Sequence, residues 1–282
     1  MQNSWHAYSK FSEIVDAIRN FTGIQHQKIG SACDGRSPLL AITSPIAPAP
    51  TSPWILISAG IHGDEKAGVL AAMEFMRRWM PLYIQRVNFV VLPCINPTGF
   101  DADTLENSRG VNLNRQFGVE SLEPEIVAVE QWLAKFNGQF HMTFDLHEVL
   151  PNYVGEGFVE SDNPRECYLY ETQNDPSKRI GHMLIKSLRK LTPNIPVCEF
   201  PTIYHDINES GVVAYPEANR NAIYATGTSL DSFLNGRYTD HSFTTETPTG
   251  WPMELRVKTQ IQWLKAAVEY LAKDDRVSKE IL

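Results

Sequence analysis

Residues 54–65 read WILISAGIHGDE, and this stretch decides the fold of the chain. Its first seven residues form an apolar run after Pro53, which predicts a buried strand. Residues 66–80 then carry apolar side chains at helical spacing, which predicts a helix packed on a sheet. Open α/β sheets place ligands in the crevice where strands end. His62 and Glu65 lie at that point, so they are the first candidates for a functional site.

His62 and Glu65 are three residues apart on an opening helical turn, so their side chains can point the same way. An imidazole and a carboxylate are two of the ligands that zinc accepts in proteins. The alternative is that Asp64 and Glu65 only favour the start of the helix and that His62 is an ordinary turn residue. Both interpretations stay open on this stretch alone, because a metal site needs a further ligand from another strand end.

Composition, net charge and cysteine content limit the class of protein. The 282 residues, 43% hydrophobic and 21% charged, suit a globular protein with one large α/β domain or two small ones. The formal net charge of −8, with no cluster of lysines and arginines, argues against nucleic acid as the main partner. Four separated cysteines form no C-x-x-C pair and are expected to be free thiols, most of them buried: Cys33, Cys94, Cys167 and Cys198.

Residues 1–6 show no basic segment followed by an apolar one, so no signal peptide is visible. No apolar run approaches the roughly 18 residues that span a membrane. The expectation is therefore a cytoplasmic protein without a membrane partner.

Strands alternate with helices along the chain, which favours a single α/β domain over residues 1–282. The expected strands are two within 24–43, and 54–60, 86–93, 140–146, 195–200, 212–215 and 241–247. The expected helices are 8–21, 66–80, 123–133, 177–191, 228–234 and 253–272. Residues 149–175 form a long polar and aromatic segment between two of these elements.

His147 follows the predicted strand 140–146, much as His62 follows its own strand. Two strand ends of one sheet can lie close enough for both imidazoles to reach one ion. Two histidines and one carboxylate leave a coordination position open, which is typical of catalytic zinc. Asp145 and Glu148 flank His147 and could orient it. A strand-end histidine alone is more often structural, but together with His62 and Glu65 it favours a metal site.

A water activated by a metal ion needs a base, and a carboxylate near the ion is the usual one. Glu246 is the candidate, because it lies in a predicted strand of β-branched and aromatic residues. A glutamate on the buried face of such a strand is costly without a role. The alternative is that Glu246 lies on the solvent face.

Four motifs occur in an order and spacing that resemble the zinc carboxypeptidase superfamily. They are HGDE at 62–65, NLNRQF at 112–117, DLH at 145–147 and TETP at 245–248. Residues 223–231 (IYATGTSLD), followed by 238–246, are similar to the stretch from that family's mobile active-site tyrosine to its catalytic glutamate. The chain looks nearest to compact bacterial members, which include murein peptide amidases and the succinylglutamate desuccinylase and aspartoacylase branch. The resemblance implies one catalytic domain with a mixed twisted sheet between helices, its motifs lying within about residues 53–275.

The resemblance also implies catalytic roles. His62, Glu65 and His147 would hold zinc. Glu246 would take a proton from a water at the ion and pass it to the leaving amine. Tyr224 would close over the substrate and donate a hydrogen bond.

The substrate would be recognised by further residues. Asn114 and Arg115 would bind its terminal carboxylate, and an arginine fork beside an amide suits that group. Leu230 would lie near the floor of the side-chain pocket, where an uncharged residue disfavours a basic substrate side chain.

The chain departs from the family at two places. Asn112 stands where the family usually has aspartate. Members usually carry an arginine nine or more residues before the carboxylate-binding asparagine, but Leu105 is nine residues before Asn114. Arg109 is the nearest basic residue, so either Arg109 or the metal would stabilise the oxyanion.

Three functions are compatible with these residues. The first is a zinc-dependent hydrolase that cleaves an amide next to a carboxylate, a carboxypeptidase-like metallopeptidase, which the 223–248 match favours. The second is an N-acyl amino acid deacylase, which shares the zinc ligands and the Asn114–Arg115 pair. The third is a binding protein that kept the fold and lost catalysis. In the first two cases the partner is a peptide or acyl-amino-acid substrate with a free carboxylate; its identity and the oligomeric state stay open.

Overall fold

The elements below come from a computed structural model that describes residues 8–47, 49, 51–215 and 227–273. The strands are β1 (Gln25–Ser31), β2 (Pro38–Thr43), β3 (Trp54–Ala59), β4 (Asn88–Leu92), β5 (Met142–Val149), β6 (Tyr168–Thr172), β7 (Thr202–Ile203), β8 (Asp206–Ile207), β9 (Val212–Tyr215) and β10 (Ser242–Pro248). The helices are α1 (Phe11–Arg19), α2 (Lys66–Glu74), α3 (Met80–Tyr83), α4 (Pro97–Ala102), α5 (Pro124–Leu133), α6 (Gly181–Leu191), α7 (Leu230–Leu234) and α8 (Met253–Lys273). A π-helical turn, Phe75–Trp79, joins α2 to α3.

Eight strands form one mixed sheet in the order β1-β2-β4-β3-β5-β10-β6-β9. The four central strands, β4, β3, β5 and β10, run parallel to one another. Strands β1, β2 and β6 add antiparallel pairings on both sides of them. The carboxyl ends of β3, β5 and β10 therefore meet at one edge of the sheet, which is where open α/β sheets bind ligands. The predicted fold class, a mixed sheet flanked by helices, is confirmed.

The faces of the central strands pack into two cores. Phe144 and Leu146 of β5 belong to the larger core, which also receives apolar side chains of α2, α6 and α8. Leu56 of β3 packs on the opposite face, in a core with residues of α5 and α7. Because side chains alternate along a strand, Asp145 and His147 point away from the larger core. Packing of the apolar face of β5 against α2 and α8 therefore fixes the position of its polar face.

The structure corrects three sequence-based assignments. The segment 149–175 contains strand β6, which was not predicted. Residues 195–200 form no strand within the described part of the chain; Val197 makes an isolated bridge to Cys167. His147 does not follow its strand but lies inside β5, which runs on to Val149. No helix in the described ranges is long and apolar enough to cross a membrane.

Candidate metal centre and substrate cavity

The turn after β3 brings His62 and Glu65 to the edge of the sheet. Gly60 begins the turn with φ of +62°, a conformation that glycine adopts without strain. Gly63 packs directly on the backbone of α4, and a Cβ at this position would lie 2.0 Å from the carbonyl carbon of Gly99. Only glycine fits there. Glu65 then directly precedes the first residue of α2.

Glu65 joins the two histidines. Its Oε1 lies 2.6 Å from His62 Nδ1, and its Oε2 lies 2.8 Å from His147 Nδ1. The two imidazole rings are 5.0 Å apart between centroids. All three residues are buried, and one ligand atom from each lies within 4.8 Å of the others. The structure thus brings together the three predicted ligands from two neighbouring strands of one sheet.

Each imidazole is held by a second partner on its other ring nitrogen. Asp145 Oδ2 lies 2.9 Å from His147 Nε2, as the sequence suggested, and Asn112 Oδ1 lies 3.3 Å from His62 Nε2. A carboxylate or amide oxygen can only accept, so these partners would hold the proton of each ring on Nε2 once a metal ion takes the lone pair of Nδ1. Histidine ligands of metal ions are commonly oriented in this way. The donor set therefore fits a divalent metal ion.

The charges of the site are strongly coupled to one another. Burial alone would raise the pKa of Glu65, but the adjoining imidazoles outweigh it and lower that pKa to about 2. Burial likewise opposes a charged His147, yet the carboxylates of Asp145 and Glu65 raise its pKa well above the usual range. The buried carboxylates are stabilised by nearby positive charge. Protons on the imidazoles supply that charge when no metal cation is bound.

Asn112 was noted in the sequence only as a departure from the family, and the structure indicates a role for it. We predict that Asn112→Ala lowers metal affinity about 10- to 100-fold, the range found when outer partners of ligands are removed. Metal dissociation constants from competition with a chromogenic chelator measure this. Asn112→Asp retains an oxygen acceptor and is expected to stay near wild type. Unchanged affinity in Asn112→Ala would contradict the role.

Glu246 stands beside the candidate metal ligands because of strand register. It pairs directly with His147 in the parallel β10–β5 ladder, so the two side chains lie on the same face. Its Oε2 is shielded from solvent and has no hydrogen-bond partner among the described residues. Burial raises the pKa of Glu246 well above its usual value, although His147 partly opposes the rise. Glu246 therefore places a buried carboxylate, with one oxygen unpartnered among the described residues, next to the candidate metal ligands.

Helix α8 ties this edge of the sheet together, and sequence reasoning did not single out its residues. Gln260 Nε2 donates to the carbonyl of His147 at 2.8 Å, and its Oε1 accepts from Thr245 of β10. Arg256 pairs at 2.8 Å with Glu148, whose other oxygen accepts the Ala67 N–H of α2. Glu148 was expected to orient His147, but its carboxylate instead joins α2 to α8. The sequence signal that could have identified these α8 residues is a polar side chain on the buried face of an amphipathic helix.

A cavity of about 940 Å³ opens in front of the candidate metal ligands. Its wall includes His62, Glu65, His147 and Glu246, together with Asn114 and Arg115. A second part of the wall is aromatic and consists of Tyr153, Phe158, Tyr168, Tyr170 and Tyr204. The cavity lies at the upper end of the size range of small-molecule sites.

The predicted carboxylate-binding residues lie in this cavity. Asn114 is buried, and its Oδ1 accepts the backbone N–H of Leu230 at 2.9 Å. Its amide nitrogen lies 3.5 Å from His147 Nε2. Arg115 Nη1 donates to the Asn114 carbonyl at 3.0 Å. Both residues are thus within the same chamber as the metal ligands.

Two predicted positions fall elsewhere. The Leu230 side chain is buried in the core below α5 and α7 and does not form the pocket floor; Ser229 and Asp231 line the cavity on either side of it. Arg109 lies outside the described cavity wall, with its Nη1 3.7 Å from Glu123, so an oxyanion role is not supported by its position. Tyr224 lies outside the described residues.

Comparisons with known proteins agree with this architecture. Solved structures that share this fold include proteins described as metallopeptidases and metallo-carboxypeptidases. A putative metallopeptidase from Shewanella amazonensis SB2B superposes with a TM-score of 0.73 at 25% identity, covering 94% of this chain and 93% of the other. A metallo-carboxypeptidase from Burkholderia cenocepacia, at 17% identity, has a TM-score of 0.66 over 92% of this chain and 68% of its own, which shows a shared fold.

Sequence comparison indicates which branch of the superfamily the chain resembles. Residues 51–168 match the model of the succinylglutamate desuccinylase/aspartoacylase catalytic domain. Murein peptide amidase A of Escherichia coli K12 is 41% identical over 71 residues, which are 25% of this chain and 28% of that protein. The predicted resemblance to the zinc carboxypeptidase superfamily and its compact bacterial members is thereby confirmed, and the relatives support a hydrolase.

Proposed function

We propose that the protein is a zinc-dependent hydrolase that cleaves an amide bond next to a carboxylate, acting as a carboxypeptidase-like metallopeptidase. One observation carries the proposal: a buried His62–Glu65–His147 cluster, Glu246 and Arg115 line one cavity. The cluster offers three ligands and leaves room for others, which is typical of catalytic zinc. A zinc ion bound there supplies Lewis acidity and lowers the pKa of a water molecule.

The chain's own residues supply the remaining parts of the reaction. Arg115 and the amide of Asn114 bind the substrate carboxylate and so set the position of the scissile amide. Glu246 accepts a proton from the attacking water on its unpartnered oxygen and then delivers that proton to the leaving amine. Asp145 and Asn112 hold the two histidine rings in place throughout.

The size and lining of the cavity favour a peptide over a small acyl-amino acid. A cavity of about 940 Å³ exceeds what an acetyl- or succinyl-amino acid fills. Its aromatic wall suits a substrate that extends beyond the scissile bond. The name of the relative, murein peptide amidase A, refers to an amide in a peptide, which agrees with a peptide substrate for this protein.

An N-acyl amino acid deacylase is the second candidate. The family model that matches residues 51–168 is named for such enzymes. The zinc ligands and the carboxylate-binding pair serve both reactions equally, so these residues do not separate the two.

Metal analysis followed by a substrate screen tests the proposal. About one zinc per chain, with release of a C-terminal residue from peptides, is the expected result. Release of acyl groups from N-acyl amino acids, with peptides untouched, would favour the deacylase. Metal-loaded protein that turns over neither class would contradict both and favour a binding protein.

Arg115→Ala is expected to weaken substrates that carry a free carboxylate. Charge-assisted hydrogen bonds contribute about 1.5–3 kcal/mol, so kcat/KM falls roughly 10- to 100-fold. C-terminally amidated analogues, assayed in parallel, are expected to change far less. Arg109→Ala is the matched control, because this arginine also pairs with a glutamate but lies outside the cavity wall. Equal losses of kcat/KM for the free-carboxylate substrates and the amidated analogues would contradict carboxylate binding by Arg115.

A further inference from the structure

We propose that Glu156 occupies the substrate-carboxylate position on Arg115 and that a substrate enters by displacing it. This inference rests on the proposed function, in which Arg115 binds the substrate carboxylate. Glu156 Oε1 lies 3.1 Å from Arg115 Nε, and its Oε2 lies 3.0 Å from Nη2. This is the two-point geometry with which an arginine binds any carboxylate. The chain's own glutamate therefore competes for the group that would recognise the ligand.

The Glu156–Arg115 ion pair is accessible enough for a ligand carboxylate to separate it. The Arg115 side chain is 20% exposed and that of Glu156 is 40% exposed, and both residues line the cavity. Exposed ion pairs contribute little net stability, because water and salt screen them. A ligand carboxylate that also makes contacts at the metal side of the cavity can replace Glu156. A ligand without a carboxylate leaves the pair closed and gains nothing from Arg115.

The backbone at Glu156 indicates that this placement is specific. Gly155 and Phe158 exchange two backbone hydrogen bonds, of 3.2 and 2.9 Å, around a two-residue turn. Its central residues, Glu156 and Gly157, have φ of +52° and +90°. Turns with two positive φ values favour asparagine, aspartate or glycine at the first position, so glutamate is strained there. Strain at a site is a reason to look for a function of the side chain.

Neighbouring contacts hold the turn over the cavity. Phe158 packs against Tyr204 and His205 of the β7–β8 hairpin, with ring centroids 4.8 and 5.0 Å apart. Tyr204 donates a 2.7 Å hydrogen bond to Asn163, whose amide nitrogen donates to the Tyr153 carbonyl. The loop is thus anchored on both sides of Glu156, so the carboxylate can leave Arg115 while the loop remains in place.

Binding of a small carboxylate tests the proposal without any turnover. Calorimetry would compare 3-phenylpropanoate, which has no amide bond to cleave, with the neutral 3-phenylpropan-1-ol. Glu156→Gln is expected to bind the carboxylate about 2- to 5-fold tighter than wild type, the range that an exposed ion pair represents. The alcohol is expected to bind equally to both. Glu156→Gly removes the same carboxylate and relieves the strained backbone, so it should show the same gain.

Glu160→Gln is the matched control. Glu160 lies on the same loop and pairs with Arg165 at 3.1 Å, and both side chains are well exposed. It is expected to bind both probes as wild type does. Unchanged carboxylate binding in both Glu156 variants would overturn the proposal, and weaker binding would show that Glu156 positions Arg115 instead. If wild type turns over no amide but the Glu156 variants bind the probe more tightly, the proposed function fails, while competition between Glu156 and a ligand carboxylate for Arg115 is upheld.

Discussion

His147→Ala is expected to lose stoichiometric metal binding, and His62→Ala is expected to do the same. Each change removes one of three buried ligands and leaves the Glu65 carboxylate without an imidazole at 2.6 or 2.8 Å. The loss of affinity should exceed the roughly 10- to 100-fold effect of an outer partner, because a direct ligand is gone. Metal content after dialysis, measured by inductively coupled plasma mass spectrometry, reports the result. Activity should fall with the metal.

His241→Ala controls for the loss of any buried histidine. His241 is buried and pairs with Glu171 at 2.7 Å, which is a similar environment away from the metal ligands. This variant is expected to be less stable but to keep its metal. A full equivalent of metal in His62→Ala or His147→Ala would show that the ligand assignment is wrong. Circular dichroism of each variant separates loss of metal from loss of fold.

Glu246→Gln is expected to keep the metal and to lose most turnover. The amide has nearly the same shape as the carboxylate but cannot accept a proton from water. General base catalysis contributes about 10²–10⁴-fold, so kcat should fall within that range while KM changes little. Steady-state kinetics on the best substrate from the screen, with metal content measured on the same sample, tests this.

Glu246→Asp separates the proton-transfer role from packing. It keeps a carboxylate but shortens it by one methylene, so partial activity is expected. A Glu246→Gln variant within a few-fold of wild type rules out the general base. Loss of metal in that variant would instead make Glu246 part of the metal site.

The fold and the clustering of the three candidate metal ligands could be predicted because their signals are local. The apolar run before His62 and the apolar strand that contains His147 both lead to the same edge of the sheet. The buried position of Glu246 could be predicted because a glutamate in a strand of β-branched and aromatic residues is costly without a role. Strand β6 was missed because its residues, YLYET, lie within a long polar and aromatic segment and do not stand out from it.

The remaining errors concern direction and distance, which spacing along a chain does not determine. Leu230 has the position expected from the family, but α7 turns its side chain into the core. Arg109 precedes Asn114 by five residues, yet it pairs with Glu123 outside the cavity wall. The Glu156–Arg115 contact joins residues 41 positions apart, and no local pattern announces it.

The position of β10 has a consequence for synthesis on the ribosome. This strand is inserted between β5 and β6, and β6 pairs only with β10 and β9 within the described sheet. A nascent chain holds His62, Glu65 and His147 long before residue 246 leaves the exit tunnel, and until then the outer edge of β5 has no partner. An unpaired strand edge invites association with other chains. On the proposed mechanism, the growing chain can gather its metal ligands early but gains its base only when the sheet closes, so hydrolysis cannot begin on an unfinished protein.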